Sequence, residues 1–305
     1  MMQLTGYSSV AYRASMGPMN RLSRRTILRA AGPLAGLRLS MFFGLVVVFA
    51  LPFWLLGWVA GPEARLLGEL PLASLQFIVP LGAALVAAVI TSGRDGVRHL
   101  LTRAVAPRDS GRLTALIAAV SIMPAVHVVA WASDPSSGRP LVPADASLAG
   151  VGGAALLFLV TAWAEEVGWT GYALTPSVRR WGPAGAAIII GAAWAVIHII
   201  PDLQAGHDLV WIASQRIGTL AQRVIIVWIA LGTGGSVLVA AIAHAMDNVS
   251  WAILTDGGAT YDPSRLAPFT LLIAVAILPL LLRRDRRFAI SRTTVRPRRS
   301  APGDV

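Results

Sequence analysis

The chain has 305 residues, 55% of them hydrophobic and only 13% charged, and its mean hydropathy is +0.66. A soluble domain carries about a quarter charged residues, so this composition excludes an ordinary soluble globular protein. Cysteine is missing, which excludes disulfides, thiolate metal ligands and a cysteine nucleophile, and the +11 charge rests on 26 basic residues that are all arginine.

A membrane-spanning helix needs about 20 mostly apolar residues. Runs of that kind lie near 39–60, 70–92, 113–133, 148–175, 183–200, 217–233, 235–254 and 266–282. They predict an all-α membrane protein, a bundle of about eight transmembrane helices. Three parts follow: a basic N-terminal tail over 1–38, a membrane domain over 39–282, and a basic, disordered C-terminal tail over 283–305.

Before the first run, Ser23-Arg24-Arg25-Thr26-Ile27-Leu28-Arg29 looks like a twin-arginine export signal. Arg38 interrupts the apolar run that follows and seven more spans come after it, so the segment reads as a basic flank instead. Arginines gather in that tail, in the 93–112 loop, at Arg179 and Arg180, and after Arg283. The opposite loops hold only Arg65, Arg139 and Arg265 beside acids such as Glu63, Asp134, Asp145, Asp202 and Asp262. This alternation predicts a multi-pass protein of a bacterial cell membrane with both termini cytoplasmic. The arginines are therefore topology signals, their uniformity reads as codon usage, and no nucleic-acid partner is expected.

Ionisable groups inside a span cost about 2.5 to 3.5 kcal/mol each at the helix centre on insertion scales. The fourth run nevertheless holds Glu165 and Glu166, the fifth His198, the seventh His244, Asp247 and Asn248, and the third His127. Arg216 and Arg223 sit around the start of the sixth, among Gln215, Thr219 and Gln222. A lone His127 reads as a polar tie between helices. The set Glu165, Glu166, His198, His244 and Asn248 instead brings carboxylate, imidazole and amide together on three helices. His244 and Asn248 are four apart and share a face, Asp247 lies on nearly the same face, and Trp194 stands one turn before His198. Glu165 and Glu166 point about 100° apart and are expected to serve different roles.

A carboxylate and a histidine can hold and deprotonate water, while a second histidine and an asparagine can donate to an oxyanion. That chemistry allows amide hydrolysis with no covalent intermediate. The same residues leave zinc open, with Glu165, His198 and His244 as ligands; metal-free water activation is favoured because the helical H-E-x-x-H arrangement is absent.

Three segments carry a resemblance: Glu165-Glu166-Val167-Gly168-Trp169-Thr170, Trp194-Ala195-Val196-Ile197-His198, and His244-Ala245-Met246-Asp247-Asn248. They resemble, in order and spacing, the E-E-x-x-x-R, F-x-x-x-H and H-x-x-x-N/D motifs of the CPBP family. These are intramembrane proteases that include the type II CAAX prenyl endopeptidases and the bacterial Abi proteins. The resemblance covers about 148–254. It implies an eight-span bundle around a conical cavity and an endopeptidase acting on a membrane-associated or lipidated peptide. Glu165 and His198 would activate water, His244 and Asn248 would stabilise the oxyanion, and Glu166, Trp194 and Asp247 would support them. Membrane lipid and a peptide or protein substrate are the implied partners, and no cofactor is required unless zinc is used.

The sequence departs from the pattern twice. Trp194 replaces a phenylalanine, and Thr170 stands where the arginine that pairs with Glu166 is expected. Either another arginine, Arg223 or Arg179, supplies the missing charge, or Glu166 is protonated. Two other readings stay open: a catalytically silent relative acting in binding or bacteriocin immunity, and a proton-coupled small-solute transporter. One geometric difficulty also stands. Counted from their expected entry faces, Glu165 and His198 lie on opposite sides of the midplane, unless helices are tilted, offset or broken.

Overall fold

The computed structural model describes residues 21–66, 70–106, 113–134, 138, 140–143 and 147–293. Its helices, in chain order, are α1 (Arg21–Ala60), a 3-10 turn (Leu72–Ile78), α2 (Val79–Val105), α3 (Leu113–Ala132) and α4 (Leu148–Glu166). A π-helical stretch (Val167–Leu174) leads into α5 (Thr175–Ile197), followed by short α6 (Ile199–Gln204), α7 (Leu209–Gly232), α8 (Val237–Leu254) and α9 (Pro263–Thr293). The only strand-like pairing among the described residues is an isolated bridge between Arg65 and Pro71.

The bundle turns its large apolar side chains outward and its small ones inward. Leu55, Trp58 and Val59 on α1 and Leu156 on α4 are more than half exposed, while Ala83, Ala84, Ala186, Ala187, Ala240 and Ala241 are buried. Exposed Leu and Val suit a lipid surface, and inward alanines let helix backbones approach closely where no hydrophobic effect drives them together. This is an all-α, multi-pass membrane protein. Among the described residues, six stretches are long and apolar enough to cross a membrane. One of them, Leu148–Gln204, is 57 residues long and bends back at Gly182. The run expected at 217–233 lies in α7, which is diluted by Gln215, Arg216, Gln222 and Arg223 and is not among the six.

Two terminal expectations meet helix instead. α1 begins at Arg21, inside the expected 1–38 tail, and α9 continues to Thr293, beyond the expected end at 282. Residues 1–20 and 294–305 of those tails lie outside the described residues, as does Arg139.

Packing places α8 at the centre, against α4 on one side and α3 on the other. α7 packs on α8 and also on α5 and α9, and the π stretch lies against α2. Every helix carrying a polar residue singled out above therefore meets at α8 or α7.

The long Leu148–Gln204 segment removes the depth difficulty. Pro176 does not close the fourth span; it follows directly on the π stretch, as the second residue of α5. The helix runs on to Gly182, whose φ of 74° and ψ of 172° break it before Pro183. Glu165 lies 17 residues before that break and His198 lies 16 residues after it. At 1.5 Å per residue the two arms return to nearly the same level, about 25 Å from the bend.

Candidate active site

Two helix interruptions shape the site. The first is the π stretch, which begins at Val167, directly after the two glutamates. Such widened turns occur often at functional positions because they redirect side chains. The second is at His198, where φ −93° and ψ −8° separate α5 from α6. Pro201 causes it: its ring has no N–H for the Ile197 carbonyl and clashes with that carbonyl. The imidazole is thus carried on a junction rather than in a continuous helix.

Glu166 is fully buried, and its carboxylate is enclosed by donors. Arg223 Nη1 approaches both oxygens, at 2.8 and 2.9 Å. The Thr170 hydroxyl donates to Oε2 at 2.6 Å, and His244 Nδ1 lies 3.1 Å from Oε1. A carboxylate only accepts, so His244 carries its proton on Nδ1. Arg223, from α7, therefore neutralises Glu166 where Thr170 cannot, and Thr170 contributes a hydrogen bond from the position of the expected arginine. Arg179 is not the partner of Glu166.

Room for Arg223 comes from α5. A Cβ on Gly191 would stand 2.7 Å from Leu220 Cδ1 and 3.1 Å from Arg223 Cβ. A side chain there would push aside the Leu220 tip and crowd the Arg223 stem, so glycine eases the close approach of α7 that brings the guanidinium to α4. The guanidinium also sits 4.2 Å from the centre of the Trp194 ring, a cation–π contact that helps to hold a buried charge.

Glu165 has a different shell. Its Oε2 accepts from Trp194 Nε1 at 2.8 Å and, at 3.4 Å, from Trp169 Nε1. No hydrogen bond from a described residue engages Oε1, and 8% of the residue stays accessible. His198, half-buried, donates from Nδ1 to the Trp194 carbonyl at 2.8 Å, since a carbonyl only accepts. Its Nε2 consequently bears the lone pair. The Trp194 ring meets the His244 ring edge-on at 4.8 Å and the His198 ring at 6.0 Å. Asn248, half-buried, stands one turn beyond His244 on α8.

The structure thus gathers Glu165, Glu166, Trp194, His198, His244 and Arg223 into one connected network. Asp247 does not join it. Its carboxylate pairs with His127 Nε2 at 2.9 Å and faces α3, so the expectation that it shares the face of His244 is corrected. Three residues advance a helix by 300°, which leaves Asp247 about 60° away from His244. On α8, wedged between α3 and α4, that angle selects a different neighbour. Among the described residues, no three His, Cys, Asp or Glu side chains gather to hold a metal ion. The oxygens of Glu166 are engaged by guanidinium, hydroxyl and imidazole, and Oε2 of Glu165 by indole.

Sequence reasoning left two contributions out. Trp169 as a donor to Glu165 follows from its i+4 position, a spacing visible in the sequence. Gly191 gives no signal of its own, because its role depends on how closely α7 packs.

No curated protein matches the chain. A family model does: residues 147–250 match that of the Rce1-like type II CAAX prenyl endopeptidases. The matched segment contains α4, the π stretch, α5, α6, α7 and most of α8, and so every member of the network just described. Over this segment, about a third of the chain, the protein is similar to the Rce1-like endopeptidases, and the match supports its assignment to the CPBP family of intramembrane proteases.

Proposed function

We propose that the protein is an intramembrane endopeptidase of glutamate type, cleaving a peptide bond in a lipidated or membrane-associated peptide. The observation that carries the proposal is the convergence of all three motifs on Trp194 and Glu166 across α4, α5, α7 and α8. Buried charges of this kind are costly in a membrane, and their gathering in one network argues for a shared task.

In this reading Glu165 and the Nε2 lone pair of His198 hold a water molecule. Its oxygen attacks the scissile carbonyl carbon while its proton passes to Glu165. The carbonyl oxygen becomes an oxyanion, stabilised by the Asn248 amide and by His244. With Nδ1–H directed at Glu166, the ring atom of His244 that would donate to the oxyanion is Nε2. Collapse of the intermediate breaks the C–N bond, and the proton held by Glu165 goes to the departing amine. Arg223 and Thr170 hold the Glu166 carboxylate in place. Arg223 also supplies the charge whose absence at Thr170 motivated the reading of a silent relative.

The test uses a quenched fluorescent, farnesylated peptide and membranes containing the protein. Glu165→Ala and His198→Ala are each expected to abolish cleavage at unchanged expression. Cleavage that persists in both variants refutes the mechanism. A zinc site at Glu165, His198 and His244 would instead show as activity lost to a chelator and regained on adding metal, whereas the glutamate mechanism predicts no chelator effect.

A further inference from the structure

Trp194 touches four members of the network, each through a different part of the residue. Its indole N–H donates to Glu165 Oε2 at 2.8 Å. Its backbone carbonyl accepts from His198 Nδ1 at 2.8 Å. Its ring packs edge-on against His244 and carries the Arg223 guanidinium on its face. The side chain is buried, with 5% of its surface exposed, so none of these contacts competes with bulk solvent.

We infer that Trp194 is the positioning residue of the water-activating pair, setting through one side chain and one carbonyl which atoms of Glu165 and His198 stay open to a substrate. The inference rests on the peptidase reading for its kinetic consequence but not for its geometry. A carboxylate with two free oxygens can rotate and offer either one. With Oε2 held by the Trp194 indole N–H, and at 3.4 Å also by that of Trp169, Oε1 is the oxygen without a donor among the described residues. An imidazole can likewise exist in either tautomer, and the Trp194 carbonyl selects Nδ1–H and leaves Nε2 basic. Both choices originate in the same residue, so the two basic atoms are fixed relative to each other.

The two functions are separable by chemistry. Trp194→Phe removes the N–H and keeps an aromatic ring and the backbone carbonyl. Placing 3-benzothienylalanine at 194 does the same while preserving the bicyclic shape. Losing a hydrogen bond to a charged group of this kind should reduce kcat for the farnesylated reporter about tenfold in both, with KM changed by less than about twofold. A merely structural role would let the isosteric analogue retain full activity. That result would overturn the inference.

A second readout needs no substrate. In protein labelled with ¹⁵N-indole and held in lipid nanodiscs, the Trp194 Nε1–H resonance, assigned by its loss in Trp194→Phe, should move in Glu165→Gln. It should stay in place in Asp247→Asn, which lies outside the network. A Trp194 resonance unmoved by Glu165→Gln overturns the inference. Should the wild-type protein fail to cleave any lipidated reporter, the peptidase reading falls while this resonance still decides the role of Trp194.

Discussion

Two carboxylates one helix apart, Glu166 on α4 and Asp247 on α8, receive opposite treatment. Glu166 is fully buried and surrounded by a guanidinium, a hydroxyl and an imidazole. Asp247 keeps a fifth of its side chain exposed, pairs with His127, and borders a small pocket also lined by Gln215, Thr219, Gln222 and Tyr261. There Tyr261 donates to Gln215 at 2.6 Å, and burial and the charge of Asp247 push its phenol above the ordinary tyrosine range, keeping it a donor. The Gln222 side-chain N–H group finds no acceptor among the described residues. The inner network is saturated and the outer one is loose. The comparison teaches that a charge in this bundle is held in one orientation where partners from the π stretch, α7 and α8 converge on it, and left adjustable where they do not.

Removing a partner from the saturated side should do the most damage. Arg223→Met leaves Glu166 buried with no cation, a loss expected to cost about 3 to 5 kcal/mol. Thermal unfolding in detergent measures it, and a shift comparable to that of an exposed arginine would show that the pair is not held as described. The double variant Thr170→Arg/Arg223→Met sharpens the point by returning a positive charge from the other side. It should recover stability and reporter cleavage relative to Arg223→Met alone; equal loss in the two proteins would mean that the direction of approach matters, not the charge.

Neighbouring positions on α8 offer the next contrast. Asn248→Ala should lower kcat by about a hundredfold, the usual scale for one oxyanion donor. Asp247→Asn should leave kcat within about twofold and cost stability of about 1 kcal/mol through the weakened His127 bond. Equal kinetic losses in these two variants would return Asp247 to the reaction centre. The smallest effect is expected at Tyr261→Phe, which removes one hydrogen bond to Gln215. About 0.5 to 1.5 kcal/mol in thermal unfolding, with cleavage unchanged, is the expected outcome.

Much of this was legible in the chain before any coordinates. Apolar runs of span length give the helical class, because lipid leaves no other way to satisfy a backbone. Glu165, Glu166, His198 and His244 stand out because ionisable groups are rare in such runs. Where the reading stopped, the cause was continuity and packing. The segment from Leu148 to Gln204 is one helical hairpin whose bend comes at Gly182 rather than Pro176, so depth counted from the expected ends was wrong. Asp247 and His244 look equivalent by spacing, yet α8 has a different neighbour on each flank.

Sequence alone determined which residues are out of place in a membrane and in what order they occur, since polarity and apolar run length are local properties. Tertiary structure alone decided their partners. Arg223 reaches Glu166 across 57 positions of chain because Gly191 lets α7 close on α5, and Trp194 meets Glu165 across 29 because the hairpin folds back at Gly182. Hydrogen bonds act over about 3 Å, and no spacing rule within a helix says which other helix will lie that near.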